Sequence, residues 1–183
     1  MTTTIYQDWL SDWDKKLRRE ERNILLLQDN FAGHVAPTTL TNIDVENFEA
    51  NLTAHVQPND QGIIRCFKAH YRAKFIHRSI DLYETGTTPT HVYDIDQLEG
   101  MRLAEKAWSE VDTTTIRNCW KKAGILPPNM DAVPIHPTLP ISSLIHATRS
   151  EPETPNDPIQ QAENAVESAL NDLEKTGILQ HTN

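Results

Sequence analysis

Cysteine is nearly absent: the chain holds only Cys66 and Cys119, far apart and without partners at metal-ligand spacing. That excludes a disulfide framework and reads as two free thiols of an intracellular protein. Positive charge is also scarce, with 17 Lys and Arg against 26 Asp and Glu and a net charge of −9. Phosphate contact needs local positive charge, so the chain as a whole lacks the footprint of a free-standing nucleic-acid binder. Long apolar runs are missing too. The longest, Ile24 to Leu27, is far too short to cross a bilayer. Met1 is followed by three threonines, not by the basic-then-apolar pattern of a signal peptide. A soluble protein with no membrane partner is expected. The 183 residues, 38% of them hydrophobic, suffice for one globular domain with a modest core.

Composition separates three zones. Residues 1–126 mix apolar, charged and aromatic side chains. Pro127 to Pro158 holds eight of the eleven prolines, which excludes a helix or central strand and predicts an extended, disordered linker. Residues 159–179 return to helical periodicity. Within the first zone, Ile5, Trp9, Trp13 and Leu17 recur at helical spacing, and Thr4 with Gln7 forms a candidate capping box. Lys15, Lys16, Arg18, Arg19 and Arg22 crowd the end of that helix, where cations suit its dipole. Ile24 to Leu27 then reads as a central strand covered on both faces, and Ile43 to Phe48 as a weaker alternating strand.

The clearest helix starts at Pro58-Asn59-Asp60, with Ile63, Ile64, Phe67, Tyr71 and Phe75 as its apolar side. Arg65, Lys68 and Arg72 fall on another side, with Lys74 and Arg78 nearby. Two further helices are expected after the Gly86 to Pro89 loop. One spans roughly 95–111 with Leu98, Met101, Leu103, Ala107 and Trp108. The other runs from about Thr113 to Ala123, capped by Asp112 or Thr113 and closed by Gly124. The expected class is α/β, mostly helical in its C-terminal half.

Two aspartates stand at informative places: Asp29 at the carboxyl end of the apolar strand, and Asp60 at the start of the basic helix. Strand ends of an open α/β sheet are where side chains converge on a ligand. Two carboxylates gathered there repel unless protonated or neutralised by a hard cation such as Mg2+, which takes oxygen ligands and bridges to phosphate. On spacing alone, Asp29 as a plain turn residue and Asp60 as a plain helix cap are the favoured readings, since strand and helix ends attract aspartate in any case. The cations likewise suit a solvated face. The three histidines His55, His70 and His77 lack cysteine or acidic companions at structural zinc spacing.

The wording of the motifs goes further than their spacing. Ile24-Leu25-Leu26-Leu27-Gln28-Asp29-Asn30 followed by His34 resembles the "LLxDNxxxH" segment of the DDE superfamily endonuclease domain, found in pogo-, Tigger- and jerky-type transposases. Gln57-Pro58-Asn59-Asp60-Gln61-Gly62-Ile63-Ile64 resembles its "QPxDxGII" segment, and Phe67-Lys68 the usual continuation. Asn51 and Thr53 are similar to the stretch before it. Ala107-Trp108 and Ile116 to Gly124, with Asn118-Cys119-Trp120 at their centre, resemble the closing "AW…IxNCFxxAG" helices. The resemblance covers about residues 1–126, in the family's order, as its C-terminal portion.

The resemblance implies a partial RNase H-like fold, three catalytic acids and two divalent ions, Mg2+ or Mn2+. Asp29 then matches the second acid and Asp60 the third, both as catalytic and metal-binding residues. Arg65, Lys68 and Arg72 become the nucleic-acid-binding residues, while Asn30, His34, Gln57, Pro58 and Gly62 support the motifs. DNA, and a second transposase chain, are the implied partners, with no small-molecule substrate; the implied compartment is the nucleus. Nothing in the chain matches the first acid, so the polypeptide alone is expected not to cleave DNA. The competing expectation is a non-catalytic, transposon-derived interaction protein. It rests on the last helix, whose Ile159, Ala162, Val166, Ala169, Leu170 and Leu173 form an apolar stripe. Such a stripe either docks on the domain or pairs with another helix.

Overall fold

The computed structural model describes residues 2–49, 56–127 and 157–178. The expected linker core at 128–156, and Asn51, Thr53 and His55, lie outside the described residues. Among the described residues five α-helices and two parallel strands are seen, and the chain divides into two compact units, Met1–Gln57 and Pro58–Asn183. The class is α/β.

In the first unit, helix α1 (Thr3–Arg19) is followed by strands β1 (Ile24–Gln28) and β2 (Ile43–Asn47). The cap of α1 is not the expected Thr4–Gln7 box: the Thr2 hydroxyl accepts from the Ile5 N–H at 3.4 Å. Lys16, Arg18 and Arg19 occupy its last turn, as the dipole favours. The buried face of α1 is also rotated from the expected stripe. Tyr6, Leu10, Asp14 and Leu17 are buried, while Ile5 and Trp9 are exposed. Asp14 explains the rotation. Its carboxylate accepts from the backbone N–H groups of Thr41 (3.0 Å) and Asn42 (2.7 Å) and from Arg18 (2.7 Å), tying α1 to the chain entering β2. Those donors, led by the Asn42 N–H, hold its pKa at about 2.

The two strands pair in parallel from Ile24↔Ile43 to Gln28↔Asn47. The chain between them supplies the long crossover that parallel pairing demands. Tyr6, Leu10, Leu17 and Ile43 make the core, with Ile24, Leu26 and Val45 packed against it. Leu25 points the other way and is exposed, so β1 is not covered on both faces as its apolar run suggested. The alternation of a one-sided strand applies instead.

The second unit opens with a π-helical turn, Asn59–Ile63, leading into the long helix α2 (Ile64–Glu84). Gly62 sits in that turn at φ 155°, ψ −19°. A β-carbon there would lie 2.4 Å from Ile159 Cδ1 and 3.0 Å from Cys119 Sγ, so glycine is required both by backbone and by space. Helices α3 (Gln97–Ser109), α4 (Thr113–Lys122) and α5 (Pro158–Thr176) complete the unit. Asp96, Asp112 and Asp157 cap them by accepting from the N–H groups of Glu99, Thr115 and Ile159. Pro158 occupies the first turn of α5 and Gly177, at φ 74°, ends it.

The α2 face that is buried differs from the expected one. Of the expected side, Ile63 just before the helix is buried and Phe67 packs against the core, but Ile64 is exposed, and Cys66, Ala69, Ala73 and Ile80 supply the buried face of the helix itself. Small side chains on this face let neighbouring helices approach closely. Leu103 and Ala107 are the buried members of the expected α3 stripe; Leu98, Met101 and Trp108 are exposed. Lys74 and Arg78 are structural: Lys74 pairs with Glu110 at 2.5 Å, and Arg78 forks onto Glu99 at 2.6 Å. Helix α5 docks on the unit through Ala162, Ala169 and Leu173, with Leu170 left exposed. No helix among the described residues is long and apolar enough to cross a membrane.

Candidate metal and nucleic-acid site

Asp29 follows the last residue of β1, and a local network fixes it. Its Oδ1 accepts from His34 Nδ1 at 2.6 Å and from the Phe31 N–H at 3.3 Å. Its Oδ2 takes no hydrogen bond among the described residues. An ionised carboxylate only accepts, so Nδ1 of His34 carries the hydrogen. The side chain of Asp29 is 39% exposed, and Oδ2 is the oxygen left available to a ligand.

The support behind this pair was not anticipated from sequence. Gln28, buried at the end of β1, donates from Nε2 to the His34 carbonyl (3.1 Å) and to Asn47 Oδ1 (2.6 Å). The Tyr6 hydroxyl donates to Gln28 Oε1. The Tyr6 ring lies 4.8 Å from the His34 ring, and Phe31 meets the same imidazole edge-on at 5.2 Å. Burial, and then the nearby Asp29 carboxylate, push the Tyr6 phenol above its ordinary range. Asn30 donates to the Phe48 carbonyl, so its motif position is a backbone tie. The signal that could have revealed Gln28 is a polar residue closing an apolar strand immediately before the acid.

Asp60 lies in the second unit, exposed in the π-helical turn, after the buried Pro58. It lines an open groove of about 510 Å³ with Arg65, Lys68 and Arg72 of α2 and Glu163 and Glu167 of α5. Arg65 is taken: its Nε and Nη2 fork onto Glu163 at 2.5 and 2.6 Å. That fork holds the Glu163 carboxyl below its usual range. Lys68 and Arg72 are exposed and make no ion pair among the described residues. The structure therefore gathers Asp29, Asn30 and His34 in the first unit and Asp60, Arg65, Lys68 and Arg72 in the second. Gln57 ends the first unit and Pro58 begins the second. The sequence reading did not include Glu163 and Glu167.

The donor chemistry suits a hard divalent cation, since both acids offer carboxylate oxygen and Asp29 presents one unengaged atom. Among the described residues no three His, Cys, Asp or Glu side chains gather into a metal-sized cluster. His70 is engaged by Glu110 at 3.1 Å rather than by any metal-ligand set.

The family model described as DDE superfamily endonuclease matches residues 1–120. The chain is similar to Tigger transposable element-derived protein 4 of Mus musculus, 23% identical over 70% of this chain and 24% of that protein. It is similar to ARS-binding protein 1 of Schizosaccharomyces pombe, 26% identical over 69% of this chain and 25% of that protein. Protein PDC2 of Saccharomyces cerevisiae is 25% identical over 71% of this chain and 16% of that protein. The chain thus spans a quarter or less of the length of these relatives. No solved structure matches it.

Proposed function

Because the chain belongs to the DDE superfamily endonuclease family, we propose that it is a nucleic-acid-binding, transposase-derived domain of RNase H-like type. In this reading Asp29 and Asp60 are each catalytic, metal-binding carboxylates, and the metal is Mg2+ or Mn2+. Arg65, Lys68 and Arg72 contact the DNA backbone. Residues 1–126 form the family domain, 127–158 a linker and 159–179 an appended helix, in a protein of the nucleus. The observation that carries the proposal is the state of Asp29: a motif acid at a strand end, with one oxygen tied down and the other unengaged.

The chemistry assigned to this chain is binding and orientation. A bound ion would supply charge neutralisation at the phosphate and a polarised water or hydroxyl. Asp29 offers Oδ2 to it in a fixed direction. Lys68 and Arg72 neutralise phosphates of the strand being held, and each such contact releases condensed counterions.

One observation favours a second reading, a non-catalytic, transposon-derived interaction protein. The groove that holds Asp60 is also lined by the Glu163 and Glu167 carboxylates, and one of its three cations is already paired. Fluorescence anisotropy with a labelled DNA duplex separates the two. For the first reading, Lys68→Ala with Arg72→Ala weakens binding and makes the slope of log affinity against log salt shallower by about 2, at about 0.9 per phosphate contact. Equal affinity and equal slope in parent and variant would transfer the weight to the interaction reading.

A further inference from the structure

We infer that His34 is a positioning residue for Asp29, aligning the carboxylate so that Oδ2 is presented to a divalent cation as a single, pre-aimed ligand. The inference rests on the proposed metal-binding role of Asp29 and adds to it a residue whose task is orientation. Four observations converge on the imidazole. Its Nδ1 donates to Asp29 Oδ1 at 2.6 Å. Its ring plane is set by Tyr6 at 4.8 Å and by the edge of Phe31 at 5.2 Å. Its backbone is closed into a tight turn by its own N–H donating to the Phe31 carbonyl at 2.8 Å. Its carbonyl accepts from Gln28 Nε2 at 3.1 Å.

The order of these contacts matters. Tyr6 on α1 orients Gln28 through its hydroxyl, and the buried Gln28 amide then uses both its oxygen and its nitrogen. Gln28 holds the backbone of His34, and His34 holds the acid. Each group in this chain of contacts is held by at least one hydrogen bond, so the Asp29 side chain is restrained before any ligand arrives. Outer-layer hydrogen bonds of this kind commonly govern metal affinity by ten- to a hundred-fold. The same arrangement occupies Oδ1, which leaves Asp29 a monodentate ligand. The network lies wholly within the first unit.

The test is a titration of the full chain with Mn2+, followed by the loss of the free-ion electron paramagnetic resonance signal. Four proteins are compared: parent, Asp29→Asn, His34→Leu and His34→Asn. Circular dichroism melts accompany each to record folding. Asp29→Asn should abolish one site. His34→Leu should weaken that site about ten-fold or more. His34→Asn should restore affinity to within about three-fold of parent, because an amide nitrogen can donate from nearly the place of Nδ1. A packing role alone predicts the opposite pattern, in which Leu keeps the affinity and Asn gives no rescue. If His34→Leu does not fold, His34→Gln, whose amide reaches past the position of Nδ1, takes its place with the same expected loss. Mn2+ binding insensitive to Asp29→Asn would remove the metal-ligand reading itself. Binding lost in Asp29→Asn but unchanged in His34→Leu or His34→Gln would overturn only the positioning role.

Discussion

Replacing Gly62 by alanine should destabilise the second unit by an amount that can be built from two separate terms. The added methyl would sit 2.4 Å from Ile159 Cδ1 and 3.0 Å from Cys119 Sγ, inside contact distance for both. Overpacking of this sort costs roughly 1–3 kcal/mol, since Ile159 must shift against the Cys66–Cys119 core. The backbone adds its own term: at φ 155° and ψ −19° an L-residue is strained by roughly 1–3 kcal/mol. Alanine also stiffens the unfolded chain, which offsets about 0.4–1 kcal/mol. The net loss is on the order of 3 kcal/mol. Urea unfolding followed by far-ultraviolet circular dichroism measures it, because α2 to α5 carry most of the helical signal. The cycle with Ile159→Ala separates the terms. Removing Cδ1 vacates the space the methyl needs, so the double variant should be more stable than the sum of the singles predicts, by about 1–2 kcal/mol. A Gly62→Ala loss below about 0.5 kcal/mol, or a cycle additive to within about 0.3 kcal/mol, would show that Ile159 does not rest on this glycine.

Three further outcomes follow from the same geometry. Asp14, held at about 2 chiefly by the Asn42 N–H, has a folded pKa below its unfolded value; its stabilisation is complete above about pH 4 and fades as pH falls toward 2. Melting temperatures of parent and Asp14→Asn should therefore converge across that window, and parallel curves would refute it. Burial pushes Cys66 up and Cys119 to about 11, so at pH 8 only about one Cys119 thiol in a thousand is ionised. A chromogenic disulfide reagent should react with neither in the native protein and with both in guanidinium; fast native reaction would contradict the packing. Glu163→Gln removes one carboxylate from the wall of the groove, so affinity for a DNA duplex should rise, and an unchanged affinity would count against this groove as a phosphate-binding surface.

What could be read from the residues alone follows the range of the interactions. The cap at Asp112 acts over three residues and was legible in the sequence, whereas the caps at Asp96 and Asp157 went unread and Gly177 ends α5 short of the expected 179. The position of β1 and the existence of α2 were legible for the same reason. The faces were not. The stripe Ile5–Trp9–Trp13–Leu17 obeys helical spacing, yet α1 turns Tyr6, Leu10 and Asp14 inward because Asp14 meets backbone donors at Thr41 and Asn42. A rule that scores only apolar side chains cannot weigh a buried carboxylate that four hydrogen bonds have made tolerable. Likewise four consecutive apolar residues in β1 suggested cover on both sides, but alternation leaves Leu25 outside. In α2 the buried face is built from Cys66, Ala69 and Ala73, and small residues are weak markers of a core beside Phe67, Tyr71 and Phe75.

The motif residues show the same division more sharply, because a motif states which residue stands where without stating what it touches. His34 and Gly62 both belong to recognisable strings, and neither role is contained in its string. His34 acquires its direction from Tyr6, on the preceding helix, through Gln28. Gly62 acquires its necessity from Ile159, at the far end of the chain, on a helix outside the stretch matched by the family model. Helix α5 is therefore two things at once. Its apolar side, through Ala162, Ala169 and Leu173, is part of the core, and its acidic side is a wall of the groove that holds Asp60. Deleting it would expose apolar surface and confuse loss of folding with gain of binding. Single charge changes at Glu163 and Glu167 leave the apolar side intact, so they alone can separate the electrostatic wall from the structural one.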